Sequence, residues 1–346
     1  MRGKESALGM RSRILSLVAT ALLGGCGAGA TAAPAPAPVA AIAIASSTDP
    51  KPLEFVDFTD DFARIHDRDV ALPDSERVAR FKAEFAQLLP GFYTEKRIGA
   101  PAAKYDEFVL KALQRFPQER AGIMRVASEF GALLAPAQRS FEAEFGPMTG
   151  FPPVYLVHSL GEFDGGTRSL PGGTRLLFGA DMIDKIYKAT PVQPFFHHEL
   201  FHLLHHRTFN CDPVWCALWT EGLAVYVAAK LNPGADDASL LLTSPVPLRA
   251  AVERDRRHAI CAIRSRLAST RNEDHRALFS NGKIDDSLPG RFGYYVGYLV
   301  AQDLGRTRSL RELAALTPDQ VQPLIEQSLA AMAACPSNDR GGGERG

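Results

Sequence analysis

From Phe58 to Phe145 apolar residues return every three or four positions, the spacing of one face of a helix. Val78, Phe81, Phe85 and Leu88 or Leu89 make one stripe, behind a start signal at Asp74-Ser75 and ahead of a break at Pro90-Gly91. Tyr105, Phe108, Val109, Ala112, Leu113 and Phe116 make the next. Met124 to Leu134 and Ala137 to Phe145 continue it as two helices parted by Pro136. These Phe-rich stripes read as core.

The texture changes at Phe151. Val154-Tyr155-Leu156-Val157 and Leu176-Leu177-Phe178 are short apolar runs of strand type. Between them Gly161, Gly165, Gly166, Gly172 and Gly173 read as a flexible connection, so the two runs predict a hairpin. Helical periodicity then resumes. One helix is expected after Pro194, and a second from Asp212-Pro213 to Leu231, before Pro233-Gly234. Leu248 to Leu267 read as one long helix whose basic face, Arg256, Arg257, Arg264 and Arg266, is solvated. After a turn at Asn281-Gly282, a helix through Tyr294 and Gly297 is followed by two more within Ser309 to Ala334. Ser309 with Glu312 forms a capping box, and Thr317-Pro318 is a further start. The predicted class is α+β, mostly α-helical: a helical part over 51–150, then a small hairpin or sheet, a central helix pair and a helical C-terminal part within 151–335.

A chain of 346 residues suits one large or two small domains with a substantial core. The 39 basic and 39 acidic side chains cancel, so the cationic excess of a nucleic-acid binder is missing. The ends lie apart from the fold. Arg2, Lys4, Arg11 and Arg13 precede a short apolar run, Ile14 to Leu23, the pattern of an export signal over 1–25. An Ala/Pro-rich tether follows over 26–50, of a composition that favours extended polyproline conformation. The stretch 336–346 reads as a disordered tail. Four cysteines remain beyond Cys26: Cys211, Cys216, Cys261 and Cys335. In an oxidising compartment they permit two disulfides in any of three connectivities; buried free thiols are the alternative.

The chemistry concentrates in the predicted central pair. His198 and His202, four apart on a helix, lie on one face roughly 6 Å apart along the axis, so both imidazoles can reach one ion. Glu199 lies about 100° round from His198, where a general base stands beside the ion. Glu221, 18 residues beyond His202, can enter from the second helix. Two His and one Glu leave one tetrahedral position open, the composition of a catalytic zinc site with one zinc ion per chain. Gly222 and Ala224 are small enough for the second helix to approach the first closely. His205 and His206 extend the histidine seam; the simpler reading is a solvated helix end, the alternative a role beside the metal ligands or against substrate.

His198-Glu199-x-x-His202, the 18-residue gap and Trp219-Thr220-Glu221-Gly222-Leu223-Ala224 resemble the gluzincin clan of zinc metallopeptidases, in the spacing of its aminopeptidase-type branch. The resemblance is close only over Phe195 to Tyr226. It implies a peptide or protein substrate, zinc bound by His198, His202 and Glu221, and Glu199 as base. It also implies an edge strand that holds the substrate main chain; Arg175, Leu177 and Gly179 are its candidates. A tyrosine three residues before a helix glycine donates to the oxyanion in that branch, which maps to Tyr294 before Gly297; Tyr295 in that role, or a purely structural aromatic cluster, is the alternative. Arg291, about one turn earlier, is a candidate for a substrate carboxylate. The GxMEN motif and the large upstream β-domain of that branch are missing, so the chain looks like a small predicted zinc protease of bacteria. Leu23-Gly24-Gly25-Cys26 resembles a bacterial lipobox, implying a lipid anchor on Cys26 and, with Gly27 next, the outer membrane facing the periplasm. A monomer is expected. A zinc hydrolase of a non-peptide amide and a non-catalytic zinc-binding lipoprotein remain the alternatives.

Overall fold

A computed structural model describes residues 53–188 and 190–336. The leader, Cys26, the Ala/Pro tether and the tail from 337 onward lie outside the described residues. The chain enters through β1 (Phe55–Asp57), then α1 (Thr59–Asp69), α2 (Asp74–Leu88), α3 (Glu95–Ile98) and α4 (Ala102–Phe145). Three strands follow, β2 (Val154–Val157), β3 (Gly165–Leu170) and β4 (Gly173–Gly179), then α5 (Ala180–Tyr187), α6 (Gln193–His205) and α7 (Val214–Leu231). The rest is α8 (Leu248–Arg254), α9 (Arg256–Arg264), α10 (Asn272–Phe279), α11 (Phe292–Leu304), α12 (Leu310–Ala314) and α13 (Pro318–Met332). The fold is α+β and mostly α-helical, as its periodicity predicts.

α4 overrides its prolines. Pro117 and Pro136 lie inside one continuous helix, where two separate helices are expected around Pro136. Each proline removes one backbone hydrogen bond. The buried stripe Phe116, Ile123, Val126, Phe130, Leu134, Ala137 and Phe141 nevertheless runs past Pro136 in register. Packing of that stripe against α5 and α6 outweighs the lost bonds.

The sheet corrects the expected hairpin. Its order is β1-β2-β4-β3. β2 and β4, the two apolar runs, are parallel neighbours and not a hairpin. The true hairpin is β3 with β4, from Gly165 opposite Phe178 to Leu170 opposite Gly173. Pro171 and Gly172 make its turn, Gly172 taking a φ of 90° that a side chain would resist. Thus part of the glycine-rich connection is itself a strand, β3, at one edge of the sheet, with β1 at the other.

α7 is buried on nearly every side, enclosed chiefly by α6 and α11. By length and composition it could cross a membrane, but here it is a core helix. The expected long helix over Leu248 to Leu267 is two helices, α8 and α9, because Asp255 leaves helical geometry and its carboxylate caps the His258 amide. Cys211 bonds Cys216 between α6 and α7, and Cys261 on α9 bonds Cys335 beyond α13.

Candidate metal centre

α6 is fixed first by a histidine outside the metal cluster. His197 Nε2 lies 2.7 Å from Ser140 Oγ and 3.1 Å from the Ala137 carbonyl on α4, while its Nδ1 lies 2.6 Å from the Asn232 side chain just past α7. This ties the helix to both neighbours and turns the following residue, His198, the other way. Phe195, Phe196, Leu200 and Phe201 are fully buried around it.

On the opposite side three ligand atoms converge. His198 Nε2 and His202 Nε2 are 2.9 Å apart. Glu221 Oε2, from near the middle of α7, lies 3.4 Å from the first and 3.3 Å from the second. Bonds of about 2.0–2.1 Å in a tetrahedron separate ligand atoms by roughly 3.3 Å. The three atoms therefore fit one small tetrahedral ion, and among the described residues they are the one group of this kind. The electrostatics of Glu221 and His198 favour the ligating forms. Burial opposes charge on Glu221, but His202 and His198 hold its carboxyl well below the usual range, so it is ionised as a ligand must be. Burial pushes the His198 imidazole down, helped by His202. Burial also opposes charge on His202, but Glu221 and Glu199 raise it overall.

Glu199 stands beside this trio and is not part of it. Burial pushes its carboxyl up to about 8, with Asp164 and Glu221 reinforcing and His202 opposing. Above it passes Gly165 of β3. A Cβ at Gly165 would lie 2.6 Å from the Phe195 ring and 2.9 Å from Glu199 Cγ, so only glycine lets the edge strand come this close.

Tyr294 reaches the site from α11, its ring nearly parallel to that of His198 at 6.4 Å. Burial, then the charges of Glu221 and Glu199, hold its phenol well above the ordinary value, so it keeps its proton. Tyr295 points elsewhere, bonded to Glu253 at 2.8 Å and to Arg249 at 3.3 Å. α11 sits close because Gly222 and Gly297 abut. The small residue at 222 thus serves the α7–α11 approach, not the α6–α7 approach expected for it.

These groups line a cavity of about 420 Å³, walled also by Asp164, Thr167, Arg168, His206, Leu241, Ser280 and Arg291. A larger groove of about 920 Å³ lies by α4 and α5, lined by charges such as Arg125 and Asp184 that pair with each other at 2.7 Å.

Two expectations fail here. Arg175, Leu177 and Gly179 do not line the cavity, because β4 is an inner strand. Leu177 is buried, and Arg175 donates to the Gly172 and Thr174 carbonyls beside the turn. The strand that borders the site is β3, through Gly165 to Arg168. Nor is His205 solvated: it is buried, its ring stacked between Phe201 at 5.0 Å and Phe209 at 4.5 Å. His206 instead lines the cavity, its ring 5.7 Å from that of His202. Arg168 is the main residue that the sequence reading passes over. The near-repeat Gly165-Gly166-Thr167-Arg168, then Pro171-Gly172-Gly173-Thr174-Arg175, is the signal that could have found it, two strands around a Pro-Gly turn. No family model, curated protein or solved structure matches the chain.

Proposed function

We propose that the chain is a zinc-dependent metallopeptidase of gluzincin type, tethered to the bacterial cell envelope through Cys26, that hydrolyses peptide bonds with Glu199 as general base. The observation that carries this reading is the convergence of His198 Nε2, His202 Nε2 and Glu221 Oε2 within 3.4 Å of one another, beside a buried carboxyl and a free strand edge. Zinc held there supplies Lewis-acid chemistry, acidifying water toward a pKa of about 7 and polarising a carbonyl.

The chain's own groups do the rest. Glu199 accepts the proton of the attacking water and returns it to the leaving amine. Tyr294 donates from its phenol to the oxygen on which negative charge develops. Among the described residues β3 has no strand on its outer side, so its outward N–H and C=O groups can take the backbone of an extended peptide. Gly165 lets that backbone lie over Glu199.

The test is product analysis on peptide mixtures with zinc-loaded protein. The reading expects cleaved internal bonds, and a Glu199→Gln protein that keeps zinc but loses about 10²- to 10⁴-fold in rate. Undiminished cleavage by Glu199→Gln, in a preparation free of other proteases, overturns it. The tether is tested separately by loss of membrane association in Cys26→Ser.

A further inference from the structure

The cavity holds two guanidinium groups that, among the described residues, make no ion pair with a carboxylate. Arg168 on β3 and Arg291, just before α11, are half-buried and line the wall beside Glu199 and Tyr294. Arg97 nearby is matched. Arg97 takes both oxygens of Glu162, at 2.7 and 2.5 Å. Asp164 accepts from the Tyr187 hydroxyl at 2.9 Å and the Gly165 amide at 3.1 Å. Glu221 belongs to the histidines. Among the described residues neither Arg168 nor Arg291 makes an ion pair, and Arg291 Nε is buried without a hydrogen-bond partner.

Both groups are also held in place. The Arg168 guanidinium lies over the Phe163 ring at 4.3 Å and donates to the Thr167 carbonyl at 2.9 Å. It fits because residue 166 is glycine: a Cβ there would sit 2.7 Å from Arg168 Nη1. Arg291 lies over the Tyr294 ring at 4.6 Å from a backbone φ of 67°, a conformation that side chains rarely adopt. In the ladder Arg168 directly faces Arg175, a like-charge pairing that is unfavourable by itself. Withdrawing a cation from water without an anion is unfavourable too. Such costs persist where a ligand supplies the missing charge.

We propose, resting on the peptidase reading above, that Arg168 and Arg291 form a recognition site for a substrate carboxylate. The planar guanidinium matches a carboxylate through paired hydrogen bonds. That carboxylate comes either from an Asp or Glu side chain or from the end of the peptide.

The experiment measures equilibrium binding to zinc-loaded Glu199→Gln protein, which does not consume the probe. Acetylated pentapeptides are compared in two pairs: internal Glu against internal Gln, both amidated, and an all-Ala peptide with a free against an amidated end. The expected result is an acid-over-amide preference of about 10- to 100-fold in one pair, and that pair identifies the source. Adding Arg168→Gln or Arg291→Gln collapses the ratio toward one, and Arg→Lys at the same position restores part of it. A ratio near one in both pairs, no binding of either acid form, or a ratio that survives both Gln changes overturns the proposal. Failure of the peptidase reading looks different: the acidic peptides bind with the expected preference, yet the wild-type protein leaves them uncut.

Discussion

Gly222 on α7 and Gly297 on α11 touch backbone to backbone: a Cβ added at Gly222 would lie 2.1 Å from the Gly297 carbonyl carbon, and one added at Gly297 would lie 2.3 Å from the Leu218 carbonyl oxygen. This contact sets the distance between the helix carrying Glu221 and the helix carrying Tyr294. Gly→Ala in a helix ordinarily gains about 1 kcal/mol of propensity. Here the clash is with backbone, which cannot rotate away, and overpacking of this kind costs about 1–3 kcal/mol. Gly222→Ala and Gly297→Ala are therefore expected to lower stability by up to roughly 2 kcal/mol in urea unfolding, and to slow hydrolysis more than they weaken zinc binding. An Ala variant more stable than wild type contradicts this.

Tyr294 and Tyr295 adjoin in sequence but face different partners. Tyr294 lines the cavity, whereas Tyr295 bonds Glu253 and Arg249 outside it. Loss of one oxyanion donor raises a barrier by about 2.7–4 kcal/mol. Tyr294→Phe should thus lower kcat by about 10²- to 10³-fold with zinc content unchanged, and Tyr295→Phe should leave kcat within a few-fold. Steady-state kinetics on both variants decides it; equal effects remove Tyr294 from its role.

How far this was legible beforehand follows from how local each signal is. His198, Glu199 and His202 belong to one helix, so their relative placement follows from its period. Tyr294 is set apart from Tyr295 only by the resemblance, through its place three residues before Gly297. β3 was not legible as an edge strand, since parallel pairing of β2 with β4 is a non-local choice with no marker in either run. That one topological fact moved the bordering strand from Arg175 to Arg168. The continuity of α4 was hidden because Pro136 is a local breaker overruled by distant packing. His205 misled for a related reason: a polar residue type at a helix end, yet closed in by Phe201 and Phe209.

His205 also gives the molecule an acid limb. Burial first, then the charges of His202 and His206, lower its pKa to about 3, from an ordinary value of 6.5. The folded state thus keeps it neutral while the unfolded chain takes up a proton. Its contribution is whole above pH 6.5 and falls as pH drops toward 3, by about 1.4 kcal/mol per unit of pH. Against His205→Phe, which keeps the stacked ring, wild type should lose relative stability at about that slope between pH 6 and 4. Urea unfolding with chelator in both arms checks it, so that metal release does not enter. Parallel pH profiles contradict it.

The central claim is that two helices bring three side chains onto one ion. Crystals grown with zinc, with anomalous data collected on both sides of the zinc absorption edge, test it most directly. One zinc per chain is expected, about 2.0–2.2 Å from His198 Nε2, His202 Nε2 and Glu221 Oε2. A structure whose zinc lies elsewhere, or that takes up none while Glu221 stays beside both imidazoles, contradicts it.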